Sequence, residues 1–251
     1  MKHILSRGNR GLLAQFAWSK VLLGFDFDGT LAPIVSQPDK AGLRAQTRTL
    51  LRQVAGCYPC VVISGRSVAD VTQRIRGLGV LEVVGNHGGE PSTSSGLLRQ
   101  EVAAWQPTLE AKLAAFRGVT IENKGLSVAI HYRACREKKK ARAAIKAAAG
   151  LLGAVRVIGG KQVVNILPEG APHKGTALER ARAAHGCDTA IFIGDDDTDE
   201  DVFTLDQPGQ LVSIRIGAKR TSAADYCLKD QAEIDDLLKE LLRLRKAGVR
   251  R

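Results

Sequence analysis

The run VLLGFDFDGTLAPI, residues 21–34, ends an apolar stretch on two carboxylates, Asp26 and Asp28. Burying a bare charge is costly. In an extended chain, residues two apart point to the same side. If the strand persists that far, Asp26 and Asp28 project together while Phe27 packs into the opposite layer. Two neighbouring carboxylates resist full ionisation unless a positive group stands beside them, and a divalent cation answers that need. A second acidic run, GDDDTDED at 194–201, follows another apolar stretch. Together the two runs compose a hard, oxygen-only site of the kind Mg²⁺ prefers. Read as an EF-hand loop, the second run fails twice. Glu200 stands where that loop turns on glycine, and Asp206 where it closes on glutamate.

Two further segments carry the chemistry of phosphate. ISGRS, 63–67, ends an apolar run with Ser64, Gly65 and Arg66, a hydroxyl and backbone N–H groups suited to phosphate oxygens at a helix start. HKGTALERA, 173–181, sets Lys174 ahead of a helix, where an ammonium offsets phosphate charge that a metal leaves uncovered.

These residues must be held by something, and the surrounding pattern says what. Short apolar runs without alternation recur at 21–27, 59–65, 81–88, 190–195 and 210–217, as expected of parallel strands covered on both faces. Helical stretches fill the gaps, among them 41–56 and 67–77, the latter with Ser67 as N-cap. This is the rhythm of a doubly wound, Rossmann-like α/β sheet, with both acidic runs at carboxyl ends of strands, where such sheets build their sites. Between 98 and 168 the order changes to helix, two strands, helix, two strands, an α+β block of its own. The Gly-, Pro- and Ser-rich stretches 85–96 and 168–175 are its joints. The domains expected are therefore 1–97 and 169–251 for the main α/β part and 98–168 for the insertion.

Lys and Arg number 37 against 26 Asp and Glu, a net charge of +11 that favours anionic partners. Much of the excess lies in REKKKARAAIK (136–146) and KELLRLRKAGVRR (239–251), which read as helices with solvated basic faces. Aromatic residues are too few to suggest base stacking on nucleic acid. Five cysteines, an odd number, point to a reducing compartment rather than a disulfide framework. CYPC, 57–60, has redox spacing but precedes a strand instead of opening a helix. No apolar run reaches membrane-spanning length and no signal-peptide pattern opens the chain, so a cytoplasmic location is expected.

DFDGT, Ser64, Lys174 and GDDDTD, in this order, resemble the four motifs of the haloacid dehalogenase superfamily of phosphatases, and the insertion sits where that family carries its C2 caps. Within the superfamily, DFDGTLAPI, ISGR, GNHGGE, ENKGLSVAIHYR, GDDDTDEDVF and IRIGAKRTSAADYCL resemble the trehalose-6-phosphate phosphatases. The resemblance implies a Mg²⁺-dependent sugar-phosphate phosphatase in which Asp26 is the nucleophile, forming an aspartyl-phosphate, and Asp28 is the general acid and then the base. Mg²⁺ would be held by Asp26, the backbone carbonyl of Asp28 and Asp195, with Asp196 counted among the ligands and Asp199 behind them. Ser64, Gly65, Arg66 and Lys174 would bind phosphate. Glu122, Lys124, His131 and Arg133 in the cap, with His87 and Glu90 in the joint, would meet the sugar. The family often shows Glu-Ile-Arg-Pro before the third motif. This chain has Asn165, Ile166, Leu167 and Pro168, which implies that a charged contact is missing or has moved to Glu169. Other capped phosphatases, acting on sucrose phosphate or glycosyl-phosphoglycerates, and a phosphosugar mutase are the nearer alternatives. A receiver-type phosphoacceptor uses similar residues but has no use for the insertion. No nucleic-acid or membrane partner is expected, and the oligomeric state is open.

Overall fold

The computed structural model describes residues 1–91, 96–160 and 162–248. The middle of the first joint, Lys161 and the end of the basic tail lie outside the described residues. The chain divides into two compact units, Met1–Gly88 with His173–Arg251, and Gly89–Pro172. The second begins earlier and ends later than the expected 98–168. Its first helix already starts at Gly96, and after its last strand the Glu169 N–H still bonds the Ala154 carbonyl at 3.0 Å.

In chain order the first unit opens with β1 (Lys2–His3), α1 (Arg10–Trp18), β2 (Val21–Phe25), α2 (Ala45–Ala55), β3 (Cys60–Ile63), α3 (Val68–Arg74) and β4 (Glu82–Val84). The inserted unit follows with α4 (Gly96–Leu113), β5 (Thr120–Asn123), β6 (Val128–His131), α5 (Lys138–Ala149), β7 (Val155–Gly160) and β8 (Val163–Pro168). The chain then returns through α6 (Lys174–Ala184), β9 (Thr189–Gly194), α7 (Glu200–Phe203), β10 (Leu211–Ile216), β11 (Tyr226–Leu228) and α8 (Ile234–Gly248).

The first unit is a seven-stranded sheet in the order β1-β11-β10-β9-β2-β3-β4, with every pair parallel. Its strands are apolar on both sides because both sides are covered. Leu23, Phe25, Ile191, Ile193, Val212 and Ile214 share one core with Leu13, Leu51, Leu237 and Leu241 of α1, α2 and α8. Leu22, Val61, Ile63 and Phe192 join Ala177, Leu178 and Ala181 of α6 in another. Each such leucine-sized side chain contributes about 1.5–3 kcal/mol by leaving water. Central β2 has β3 on one side and β9 on the other, so the strand order reverses beside it, which is the switch point where sites form in open α/β sheets.

The basic tail is in part structural. α8 buries its leucines in the large core, and Arg245 lies over the Tyr58 ring, 4.3 Å from its centroid, while its Nη1 donates to the Ala17 carbonyl at 2.9 Å. Cys57 is exposed and Cys60 opens β3 in the interior, where burial pushes its thiol well above the ordinary range. Among the described residues no helix is long and apolar enough to cross a membrane.

The inserted unit is an antiparallel sheet, β5-β6-β8-β7. Alternation gives it two unlike faces. Val128, Ile130, Val164 and Ile166 pack with Val102, Trp105, Leu109, Ala141 and Ile145 of α4 and α5. The other face carries, in one register row, Glu122, Ala129, Asn165 and Ile158.

Candidate active site

β2 stops at Phe25, one residue before the first aspartate. The chain then tightens into a turn: the Gly29 N–H bonds the Ala32 carbonyl at 2.7 Å and the Ala32 N–H bonds the Phe27 carbonyl at 2.8 Å. Phe27 is buried, as the alternation predicted. The two aspartates nevertheless part company, because the turn replaces the extended strand. Asp26 goes inward with 5% exposure, while the Asp28 side chain keeps 40% of its surface in solvent.

Asp26 meets Lys174. The ammonium, at the first position of α6, donates to Asp26 Oδ1 and to Asp199 Oδ1, both at 2.7 Å, with all three groups buried. α6 is set in place by a capping box in which His173 Nδ1 accepts from the Gly175 and Thr176 N–H groups and Thr176 Oγ1 accepts from the His173 N–H. Burial works against the Lys174 ammonium, yet Asp199 and Asp26, by charge and by hydrogen bond, outweigh it and hold its pKa above the ordinary value. Burial pushes the Asp26 carboxyl well up, with Asp199 and Asp195 pushing the same way and Lys174 pulling back.

Asp26, Asp195 and Asp199 each bring a carboxylate oxygen within 4.8 Å of the others. Two glycines make the approach feasible. A Cβ on Gly29, which also has φ +85°, would lie 2.2 Å from Asp195 Oδ2, and one on Gly194 would lie 2.2 Å from Asp199 Cγ. Three carboxylates around one ammonium leave negative charge uncompensated, and an all-oxygen donor set fits a hard divalent cation such as Mg²⁺. The carboxylates of the second acidic run divide between the cluster and the turn. Asp196, expected among the ligands, instead caps the short turn at 197–199 by accepting from the Asp197 N–H at 2.7 Å. Asp199, expected behind the ligands, turns back into the cluster, its Oδ2 also accepting from the Asp196 N–H at 2.9 Å. A tight turn, not a continued strand, chooses which of these side chains faces inward. Burial raises the pKa of the Asp196 carboxyl.

Ser64 follows β3 as Asp26 follows β2, and Phe25 is in register with Val62, so both residues stand at neighbouring carboxyl ends of the sheet. Ser64 is 1% exposed, and its Oγ accepts the Arg66 N–H at 3.2 Å. Gly65 lies against His87: a Cβ there would sit 2.4 Å from the ring's Cε1. His87 itself is buried at φ +58°, its N–H on the Ser64 carbonyl at 2.9 Å. Arg66, expected at the phosphate, is engaged with carboxylates in this structure. Its guanidinium forks onto Asp28, Nε to Oδ2 at 2.5 Å and Nη2 to Oδ1 at 2.8 Å, and reaches Asp70 Oδ2 through Nη1 at 2.8 Å. A bidentate carboxylate is the partner that geometry favours most, and Asp28 and Asp70 supply two carboxylates. Arg74 joins them on Asp70, whose pKa is lowered: burial opposes, but the hydrogen bonds of Arg74 and Arg66 prevail.

In the inserted unit, Glu122, Lys124 and His131 come together. His131 Nε2 and Glu122 Oε2 are 2.9 Å apart and Lys124 Nζ is 3.9 Å from the same oxygen. The His131 hydrogen bond, more than the Lys124 charge, lowers the Glu122 pKa against the effect of burial. Arg133 lies past the end of β6 and Glu169 past the end of β8, both exposed, while Glu90 precedes α4. Asn165 shares the register row of Glu122, and Leu167 pairs with Arg156 of β7. Arg156 was not singled out from sequence, since only the strand register shows which residue stands opposite Leu167. Arg215, also missed, donates to the Asp195 carbonyl at 2.6 Å.

Comparison with known proteins agrees with this architecture. The structure aligns with the C-terminal domain of Candida albicans trehalose-6-phosphate phosphatase at a TM-score of 0.79, covering 94% of this chain and 98% of that one at 21% identity, a likeness of fold. The sequence is 35% identical over 238 residues to a trehalose-phosphate phosphatase of Mycolicibacterium paratuberculosis and 36% identical over 230 residues to one of Mycobacterium marinum. These alignments cover 86% and 84% of this chain but 61% and 58% of the relatives, so the chain spans about three fifths of their length. The trehalose-phosphatase family model matches residues 24–232, which takes in both acidic runs, Ser64, Lys174 and the whole inserted unit. The chain belongs to the trehalose-phosphatase family.

Proposed function

We propose that this chain hydrolyses trehalose 6-phosphate to trehalose and phosphate through an aspartyl-phosphate. The observation that carries the reading is the buried Asp26–Lys174–Asp199 chain with Asp195 beside it, set at the carboxyl ends of β2 and β9 in a member of this family. Asp26 attacks phosphorus, the bond from phosphorus to the sugar oxygen breaks, and Asp28 delivers a proton to the leaving alkoxide. Water then attacks the aspartyl-phosphate, with Asp28 taking its proton, so one hard hydrolysis becomes two easier steps. Asp28 in the Arg66 fork has both oxygens engaged as acceptors, so proton delivery requires the fork to open.

Asp26, Asp195 and Asp199, with the Asp28 carbonyl, would hold Mg²⁺, which offsets repulsion between the nucleophile and a phosphate dianion. Lys174 keeps Asp26 oriented and covers part of the transferring charge, and Ser64 adds a hydroxyl on the neighbouring strand. The polar face bearing Glu122, Lys124, His131 and Asn165 is the one suited to sugar hydroxyls. Arg156 brings a cation to the position opposite Leu167, where a charged contact was expected to be missing.

The test is phosphate release from a panel of sugar phosphates with Mg²⁺ and with EDTA. Trehalose 6-phosphate is expected to lead the panel and EDTA to stop turnover; preference for sucrose phosphate, or full activity in EDTA, would overturn the reading.

A further inference from the structure

We infer that Arg215 is a positioning residue for the divalent-cation site, holding the backbone of Asp195 and Asp196 so that the turn presents Asp195 and Asp199 toward Asp26. This rests on reading that carboxylate cluster as a metal site.

Arg215 lies on β10 in register with Gly194, the last residue of β9 before the acidic run. Its neighbours Ile214 and Ile216 point into the large core, so alternation sends Arg215 to the opposite face. There it is 6% exposed, and both terminal nitrogens have partners. Nη2 donates to the Asp195 carbonyl at 2.6 Å, and Nη1 donates to the Asp196 carbonyl at 3.0 Å and to Glu200 Oε1 at 2.9 Å. The other Glu200 oxygen accepts the Ala223 N–H at 2.9 Å, which ties the turn to the segment ahead of β11.

The run 194–201 carries six carboxylates, and their mutual repulsion favours a splayed loop. Among the described residues, cations that meet it include Lys174 on Asp199, Lys219 on Asp197, and Arg215. Lys174 contacts carboxylates of the metal cluster, and Lys219 pairs with a carboxylate outside it. Arg215 alone of the three takes backbone carbonyls, and so acts on the loop's path without competing for ligand oxygens. A lysine at 215 keeps the charge but cannot span two carbonyls and a carboxylate with a planar fork.

The measurement is Mn²⁺ affinity of the full chain, from electron paramagnetic resonance of free Mn²⁺, alongside circular dichroism to confirm folding. Partners that orient metal ligands typically govern about 10- to 100-fold in affinity. Arg215→Met is expected to bind Mn²⁺ that much more weakly, with Arg215→Lys in between. Because Arg215→Met strands Glu200, the double variant with Glu200→Gln repeats the test without that charge. In activity assays the Mg²⁺ concentration for half-activation should rise by the same factor while kcat at saturating Mg²⁺ stays within about twofold.

A folded variant with unchanged Mn²⁺ affinity overturns the inference. So does a lowered kcat with unmoved Mg²⁺ activation, or a wild-type chain that does not bind Mn²⁺. If affinity falls as expected but trehalose 6-phosphate is not hydrolysed, the substrate reading fails and the role of Arg215 stands.

Discussion

In the doubly covered unit, Asp26, Asp199, Lys174 and Arg215 are buried and tied to one another or to backbone, whereas in the inserted unit the Glu122 and His131 side chains keep 53% and 43% of their surface in solvent. Total charge is divided unevenly too. Residues 89–172 hold thirteen Lys and Arg against six Glu and no Asp, so about a third of the chain carries seven of the eleven net positive charges. The contrast has a physical cause. A buried charge must find its partners when the chain folds, because desolvation is costly and water cannot substitute later. An exposed charge can wait for a ligand. Under the proposed function, the groups assigned to catalysis are therefore arranged before substrate arrives, and those assigned to recognition remain adjustable.

The sharpest break of that contrast is Asp26→Asn. Turnover is expected to fall by roughly 10⁴-fold or more with the fold intact, read by phosphate release and circular dichroism; substantial residual activity would remove Asp26 as nucleophile. Next is Lys174→Met, which leaves Asp26 and Asp199 facing each other in the interior. Urea unfolding should register a loss of about 3–5 kcal/mol, and a loss under 1 kcal/mol would mean the buried pair is not what holds this corner.

Arg66→Met sharpens the comparison at its boundary, since Asp28 is half exposed yet forked. Freeing the Asp28 carboxylate removes the need to open the fork and should raise turnover of trehalose 6-phosphate, whose alkoxide needs a proton, by up to roughly tenfold, with p-nitrophenyl phosphate much less changed. A fall on trehalose 6-phosphate would mean that the fork aims Asp28 rather than restrains it. Glu122→Ala probes the other unit: hydrolysis of the sugar phosphate should drop about tenfold, the value of a charge-assisted hydrogen bond, with p-nitrophenyl phosphate little changed. A matching drop on both would take Glu122 out of sugar recognition.

The smallest effect belongs to Asp70→Asn. Because the folded-state pKa of Asp70 is lowered, its pairing with Arg66 and Arg74 stabilises the fold above the ordinary carboxylate pKa and is lost as pH falls through the lowered value. Wild type should exceed the variant by under about 1 kcal/mol at neutral pH, and the two should converge in strong acid. A gap that widens on acidification would contradict the pairing.

How much of this could be read beforehand depends on how local each cause is. The strands that carry the site were readable because both faces are covered and their apolar runs are continuous. β1 and β11, two and three residues long, were not, and they pair across the full length of the chain. Ser67 was readable as a cap because its partner, the Asp70 N–H, is three residues away. The grip of Arg66 on Asp28 was not readable because that carboxylate is 38 residues distant. That the Asp199 side chain turns into the cluster while Asp196 caps the turn was not readable, because a single tight turn redirects the loop after β9.

The amino-acid order alone determined the alternation of elements, the inserted block and the placement of Asp26, Ser64, Lys174 and Asp195 at strand or helix ends, since period and turn chemistry act between near neighbours. Tertiary structure alone decided that Lys174 joins Asp26 to Asp199, that Arg66 takes Asp28, and that Arg215 takes the carbonyls of Asp195 and Asp196. Coulomb attraction and desolvation depend on distance in space, and only packing sets that distance.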